Sequence, residues 1–185
     1  MSGLAVVDLE TTGLDSSRHS ILQAAVVVQD WSGRVDDEWS TYVRPPRPLT
    51  CSLGPVEIHG IRRRQVLFAP TEPSVLRHLA ESTAGRVLVA HNAAFDIGFL
   101  RAAAARHGVE WRWRGSLCTL ALARKLGDRG RADHKLVTLC REFGIDFSRA
   151  HDALADARAT GALLPLLLQG LGIETAAEAE RYVRA

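Results

Sequence analysis

Along the first 44 residues, apolar positions recur in runs suited to strands. Residues 4–10 read Leu-Ala-Val-Val-Asp-Leu-Glu and stop at Thr11-Thr12-Gly13, a turn signal. Residues 20–30 and 34–44 follow, separated only by a short turn at Ser32-Gly33, so the three segments predict an antiparallel meander. Pro45-Pro46-Arg47-Pro48 interrupts regular structure and opens a loop. Beyond it the period lengthens. The spacing predicts a helix over 73–83, a buried strand at 86–90 (Arg-Val-Leu-Val-Ala) and a helix from the N-cap Asn92 to about Arg106. A short last strand is expected at 111–116, then helices near 117–126, 134–143, 152–168 and 175–184. Three strands followed by alternating strands and helices predict an α/β layer fold, a mixed sheet with helices on its faces. No internal repeat or low-complexity linker divides the chain, and its 185 residues are expected to form one domain over 1–185.

Composition narrows the class without naming a function. At 46% hydrophobic and 24% charged residues, the chain is an ordinary globular protein. Met1-Ser2-Gly3-Leu4 carries neither a basic stretch nor a long apolar one, so no secretory leader is expected. No apolar run approaches the ~20 residues of a membrane helix, so no membrane partner is expected. Cys51, Cys118 and Cys140 lack any C-x-x-C spacing and point to reduced thiols in a cytoplasmic protein, not to disulfides or zinc. A net charge of +2 does not announce a nucleic-acid binder. Of the 23 basic residues, only Lys125 and Lys135 are lysine. That bias fits either coding preference or bidentate phosphate contact. Arg62-Arg63-Arg64 and the Arg124–Lys135 segment are either positive surface or plain solvated faces.

The acidic positions change the picture. Period-two geometry puts Leu4, Val6, Asp8 and Glu10 on one side of the first strand. Two carboxylates that continue an apolar face repel each other and resist desolvation unless a cation lies between them. Hard divalent ions take oxygen ligands, so Mg²⁺ or Mn²⁺ fits the pair. The alternative is a strand that frays here and leaves both acids solvated. Helical spacing aligns Asp96 with Phe99, Leu100 and Ala103, at the head of a stripe that faces the sheet. It is equally an acid in a first helical turn, where the macrodipole favours negative charge by ~0.3–1 kcal/mol. Asp156 aligns with Thr160, Leu163 and Leu167, and Asp152, one turn earlier, reads as a helix-start acid. His151 precedes that helix, either free to reach a site or serving as a cap or surface residue. Together the segments place four acids at the ends of a strand and two helices, all turned inward, which no ordinary core needs. Converging carboxylates and an imidazole are what metal-assisted phosphodiester hydrolysis requires, with two ions ~3.5–4 Å apart. Histidine, with an ordinary pKa of ~6.5, can take a proton from the attacking water near neutral pH.

The segments Asp-Leu-Glu-Thr-Thr-Gly (8–13), His-Asn-Ala-Ala-Phe-Asp (91–96) and His-x-x-x-x-Asp (151–156) stand in the order and spacing of the DEDDh exonucleases. The chain resembles their DnaQ-like branch, which holds the proofreading epsilon subunit of bacterial DNA polymerase III. Ile58-His59-Gly60-Ile61, Cys118-Thr119-Leu120 and the leucine-rich helix after Asp156 extend the resemblance over about residues 3–170. It implies an RNase H-like fold with a mixed five-stranded sheet. It implies that Asp8, Glu10 and Asp156 bind a first divalent ion, that Asp8 and Asp96 serve a second, and that His151 is the general base. It implies a pocket for the terminal nucleotide shaped by Thr11, Thr12, Gly13, Leu14, Ile58, His59, Asn92 and Phe95. Phe95 is the one aromatic that the pattern puts near this site.

The implied activity is 3′–5′ exonucleolytic removal of nucleoside 5′-monophosphates from single-stranded or frayed DNA ends, in proofreading or repair. The chain stops soon after the resembling region, without the tail in which the epsilon subunit carries its polymerase-binding segment. A DNA polymerase subunit and a stand-alone nuclease are therefore both open. RNA 3′-end trimming would use the same motifs. An inactive nucleic-acid-binding accessory module is disfavoured by the intact set Asp8, Glu10, Asp96, His151 and Asp156.

Overall fold

Strand β1 (Leu4–Thr11) lies at the middle of the sheet because both of its faces are apolar. Ala5, Val7 and Leu9 face one core, Leu4 and Val6 the other. The computed structural model describes residues 3–128, 130, 132–148 and 150–185; Arg129 and Arg131 of the Arg124–Lys135 segment lie outside them. β2 (Ile21–Gln29) and β3 (Val35–Tyr42) complete the antiparallel meander, and β4 (Val87–Ala90) and β5 (Gly115–Cys118) add in parallel on the other side. The order is β3-β2-β1-β4-β5. In the proline-opened loop, which the apolar pattern leaves irregular, two single turns form, α1 (Val56–His59) and α2 (Arg63–Val66). α3 (Glu72–Thr83) and α4 (Ala93–His107) cover the Ala5–Leu9 face. α5 (Thr119–Leu126), α6 (Leu136–Glu142) and α7 (Ala153–Gly170) cover the opposite face. The result is the mixed five-stranded sheet with helices on both faces. Among the described residues no helix is long and apolar enough to cross a membrane.

α7 crosses β1 and β2 closely. A Cβ at Gly161 would collide with the side-chain amide of Gln29, whose Nε2 instead donates to the Gly161 carbonyl at 3.0 Å. This approach fixes the height of the helix whose first turn carries Asp156.

Three local expectations are corrected. The last strand is 115–118, not 111–116. Trp111 and Trp113 stack at 4.9 Å, and the Trp111 indole N–H donates to the Leu100 carbonyl at 3.2 Å. These aromatics cover α4 and leave pairing to the next residues. The terminal helix shortens to α8 (Ala176–Ala179) and a 3₁₀ turn at Glu180–Tyr182. Arg184 then exchanges backbone hydrogen bonds of 2.7 and 2.8 Å with Ser116, satisfying the outer edge of β5. Asn92 makes no side-chain cap: its backbone is left-handed (φ 68°, ψ 47°), a conformation asparagine tolerates better than most residues.

Candidate active site

Asp8 and Glu10 end β1 on the face that looks toward α7. Glu10 is opposite Gln23 in the β1–β2 ladder, and the register slips immediately after it. Asp96 sits in the first turn of α4 and is only 3% exposed. Asp156 sits in the first turn of α7. His151, with a left-handed backbone (φ 66°), donates its backbone N–H to Asp156 Oδ1 at 3.2 Å. Asp152 is the true N-cap, its Oδ1 accepting from the Ala155 N–H at 3.1 Å. Glu10, His151 and Asp156 each present a ligand atom within 4.8 Å of the other two.

The carboxyls are electrostatically frustrated. Burial, then the charges of Asp96, Asp156, Glu10 and Asp152, hold Asp8 well above the ordinary carboxylate range. Burial, followed by Asp156 and Asp152, pushes Glu10 to about 7. Burial raises Asp96 to about 8 although its own N–H and that of Leu9 favour the charged form. Asp156 rises to about 7, again chiefly through burial. Among the described residues none of the ion pairs involves these four acids. A set of hard oxygen donors without a cationic partner suits a divalent metal ion, and the site can hold one.

A family model for exonucleases, the RNase T group, matches residues 5–164. The chain belongs to this exonuclease family. It is 38% identical over 187 aligned residues to a Mycobacterium tuberculosis protein that bears the name bifunctional exonuclease/endonuclease, covering 96% of this chain and 29% of the relative. It is 35% identical over 165 residues to the PolC-type DNA polymerase III of Bacillus subtilis, covering 89% of this chain and 11% of the polymerase. The chain thus spans less than a third of either relative. Among solved structures, Escherichia coli exonuclease I bound to single-stranded DNA superposes with a TM-score of 0.82 at 22% identity, over 91% of this chain and 41% of that one. Exonuclease X in complex with 5′-overhanging duplex DNA gives 0.69 at 28% identity, over 95% and 96%. The fold is RNase H-like, as these neighbours show.

In this exonuclease domain the turn after β1 is braced from three directions. Thr11 Oγ1 donates to the Gly13 carbonyl at 2.7 Å, and Thr12 Oγ1 accepts from the Ser20 N–H at 3.0 Å. Gly13 lies flat on the His19 ring, where a Cβ would come within 2.5 Å of Nε2. Gly54, at φ 76°, seats the next loop against the Thr12 carbonyl. Ser16 Oγ lies 3.8 Å from where a Cβ on Gly98 of α4 would be. The turn is held by these contacts, yet Leu14 is 85% exposed, and Ile58 on α1 is 52% exposed. His59 is buried, its Nε2 paired with the Leu53 carbonyl and its Nδ1 accepting from the Ile61 N–H, both at 2.9 Å. It therefore shapes the loop through the backbone and points neither nitrogen at solvent. Phe95 is half-buried against Phe99 at 5.0 Å, and Asn92 is exposed at the α4 start.

Three residues near the carboxylates have no site role in the sequence pattern, although His91 opens the second motif. Gln23 stands as a buried polar residue in the apolar β2 run, and that mismatch was its one signal. His91, whose pKa is pushed down by burial, bridges Thr119 Oγ1 and the His134 carbonyl at 3.0 Å each, locking the end of β4 to the helices beyond. Phe147 lies in the segment before α7 and lines the same cleft as His151 and Asp156. No local pattern marks it.

Proposed function

We propose that this exonuclease domain hydrolyses DNA from the 3′ end, one nucleotide at a time, with two Mg²⁺ or Mn²⁺ ions. The observation that carries the reading is the gathering of Asp8, Glu10, Asp96 and Asp156 at raised pKa, with no ion-pair partner among the described residues, beside His151. Asp8, Glu10 and Asp156 would hold one ion and Asp8 with Asp96 the other. Such ions, when bound, orient the scissile phosphate and stabilise charge on its oxygens. His151 takes the proton of the attacking water. The water oxygen bonds to phosphorus, the bond from phosphorus to the 3′ oxygen breaks, and a nucleoside 5′-monophosphate leaves behind a new 3′ hydroxyl.

Exposed Leu14 and Ile58 offer an apolar seat for the terminal base, with Leu14 set to wedge against it and the Gly13 backbone close by. Unpairing costs least at a mismatch, so frayed or mispaired ends are the preferred substrates. Likeness to one stretch of PolC-type polymerases favours DNA over RNA, and proofreading or repair as the setting. The free thiols Cys51, Cys118 and Cys140 support a reducing, cytoplasmic setting. Matched 5′-labelled DNA and RNA oligonucleotides, with either metal or with chelator, test the reading. A ladder that shortens by single nucleotides on DNA is expected, with slower trimming of mismatched ends in Leu14→Ala. Internal cuts in a closed circular single strand, or full activity in excess chelator, overturn it.

A further inference from the structure

Glu72, the first residue of α3, is an acid only 6% exposed. Burying a carboxylate is costly unless it is paired and hydrogen-bonded. Both of its oxygens accept from Arg106 Nη2 at 3.3 Å, and Oε2 also accepts from His107 Nε2 at 2.8 Å. The two donors stand in the last turn of α4, where the helix dipole favours cations. Glu72 stands in the first turn of α3, where the dipole favours an anion. The start of α3 is itself fixed, since the Arg44 N–H donates to the Pro70 carbonyl at 2.9 Å and Arg44 bridges to Thr71.

This pairing engages one Arg106 nitrogen, and a second has another partner. Nη1 donates to the Ser16 carbonyl at 3.3 Å. Ser16 belongs to the segment that carries Leu14, and its hydroxyl rests beside Gly98 of α4. Gly98, Ala102 and Arg106 follow one another at four-residue intervals, so they share one face of that helix. Two small residues let the turn approach, and the arginine ends the stripe with a planar fork. The segment is closed on itself as well. The Asp15 carbonyl accepts from the N–H groups of Arg18 and His19 at 3.0 and 2.9 Å, and the Asp15 carboxylate accepts from the Ser17 N–H at 2.9 Å. A hold on Ser16 is thereby passed to Leu14.

We propose that Arg106 is a positioning residue: forked between Glu72 and the Ser16 carbonyl, it holds the Leu14 turn at one height above α4 and so sets the grip on the terminal nucleotide. The inference rests on the reading above that seats this nucleotide against Leu14. The polar partners of Arg106, Glu72 and Ser16, are not members of the carboxylate cluster. A contact that grips substrate alike before and during bond cleavage alters KM and leaves kcat unchanged.

Arg106→Lys separates holding from folding. The ammonium keeps a cation beside Glu72 yet, as a point charge, cannot span both partners. Tm and Mn²⁺ affinity are expected to stay close to those of the wild type. Amide exchange at Arg18 and His19 is expected to quicken, and KM for a short single-stranded DNA to rise about fivefold at constant kcat. Leu14→Ala removes the side chain through which Arg106 acts, so adding Arg106→Lys to it is expected to raise KM no further. Glu72→Gln, which loosens the anchor of the fork, is expected to shift exchange and KM in the same direction, and gives the answer if Arg106→Lys does not fold. Unchanged exchange or unchanged KM in Arg106→Lys, or a KM rise that adds in full to that of Leu14→Ala, overturns the positioning role and leaves the exonuclease reading intact. Leu14→Ala with unaltered KM, or a wild-type protein that degrades no DNA, overturns the reading on which the role rests.

Discussion

The Gln23 side-chain amide donates to Asp152 Oδ2 at 3.2 Å, joining residues 129 positions apart in the chain. Its Oε1 accepts from the Ala153 N–H at 3.4 Å, and the same residue faces Glu10 across the β1–β2 ladder. The sheet therefore positions the start of α7 directly, and with it His151 and Asp156 relative to Glu10. Gln23→Leu keeps apolar bulk but leaves a part-buried carboxylate oxygen and the buried Ala153 N–H without this partner, a loss of about 1–3 kcal/mol. The expected result is a lower Tm together with weaker Mn²⁺ binding, read by thermal unfolding and titration calorimetry. Unchanged metal affinity would reduce Gln23 to a packing residue.

Stability should depend on pH in a sense opposite to that of a salt-bridged protein. Glu10 and Asp156 are raised to about 7 and Asp96 to about 8, against about 4 for a free carboxyl. Between these limits the folded chain binds more protons than the unfolded one, so stability falls as pH rises. With chelator present, Tm is expected to be highest near pH 4–5 and to decline through pH 7–8, before other groups intervene. Mg²⁺ or Mn²⁺, which needs the ionised carboxylates, should raise Tm more at pH 8 than at pH 6. A chelated protein whose Tm climbs from pH 5 to 8 contradicts the frustrated cluster.

Asp96→Asn separates stability from activity. The change removes charge from a buried site where Asp8, Glu10 and Asp156 repel it. In the metal-free protein at pH 8 it is expected to raise Tm by a few degrees while abolishing nucleotide release, as replacement of strained active-site groups often does. A drop in Tm would mean that the Leu9 and Asp96 N–H contacts outweigh the repulsion.

His151 is exposed and sits beside two carboxylates, so its role as base is distinguishable from a role as ligand. His151→Ala is expected to slow turnover by ~10²–10⁴-fold, the usual contribution of general-base catalysis, with metal affinity retained. Loss of metal binding instead would make it a ligand, and near-normal turnover a surface residue.

Much of this architecture was legible in the order of residues, because its causes are local. The apolar run of β1 broken by Asp8 and Glu10, and the helical stripes behind Asp96 and Asp156, need only backbone period and side-chain polarity to be read. The matching motifs placed the chain among the exonucleases for the same reason. Other features answered to partners far along the chain. Trp111 and Trp113 have strand-forming character yet cover α4, since the Leu100 carbonyl offers the indole a partner that no neighbour in sequence does. Asn92 has cap chemistry yet turns left-handed where β4 passes into α4. Gln23 reads as a blemish in a strand until Asp152 arrives across the sheet, and Phe147 reads as a loop residue until the cleft forms around it. Local sequence determined which segments form and which face each acid takes. Tertiary packing decided which side chains meet at the carboxylates, because such contacts depend on loop closure and layer height, quantities no short window of sequence contains.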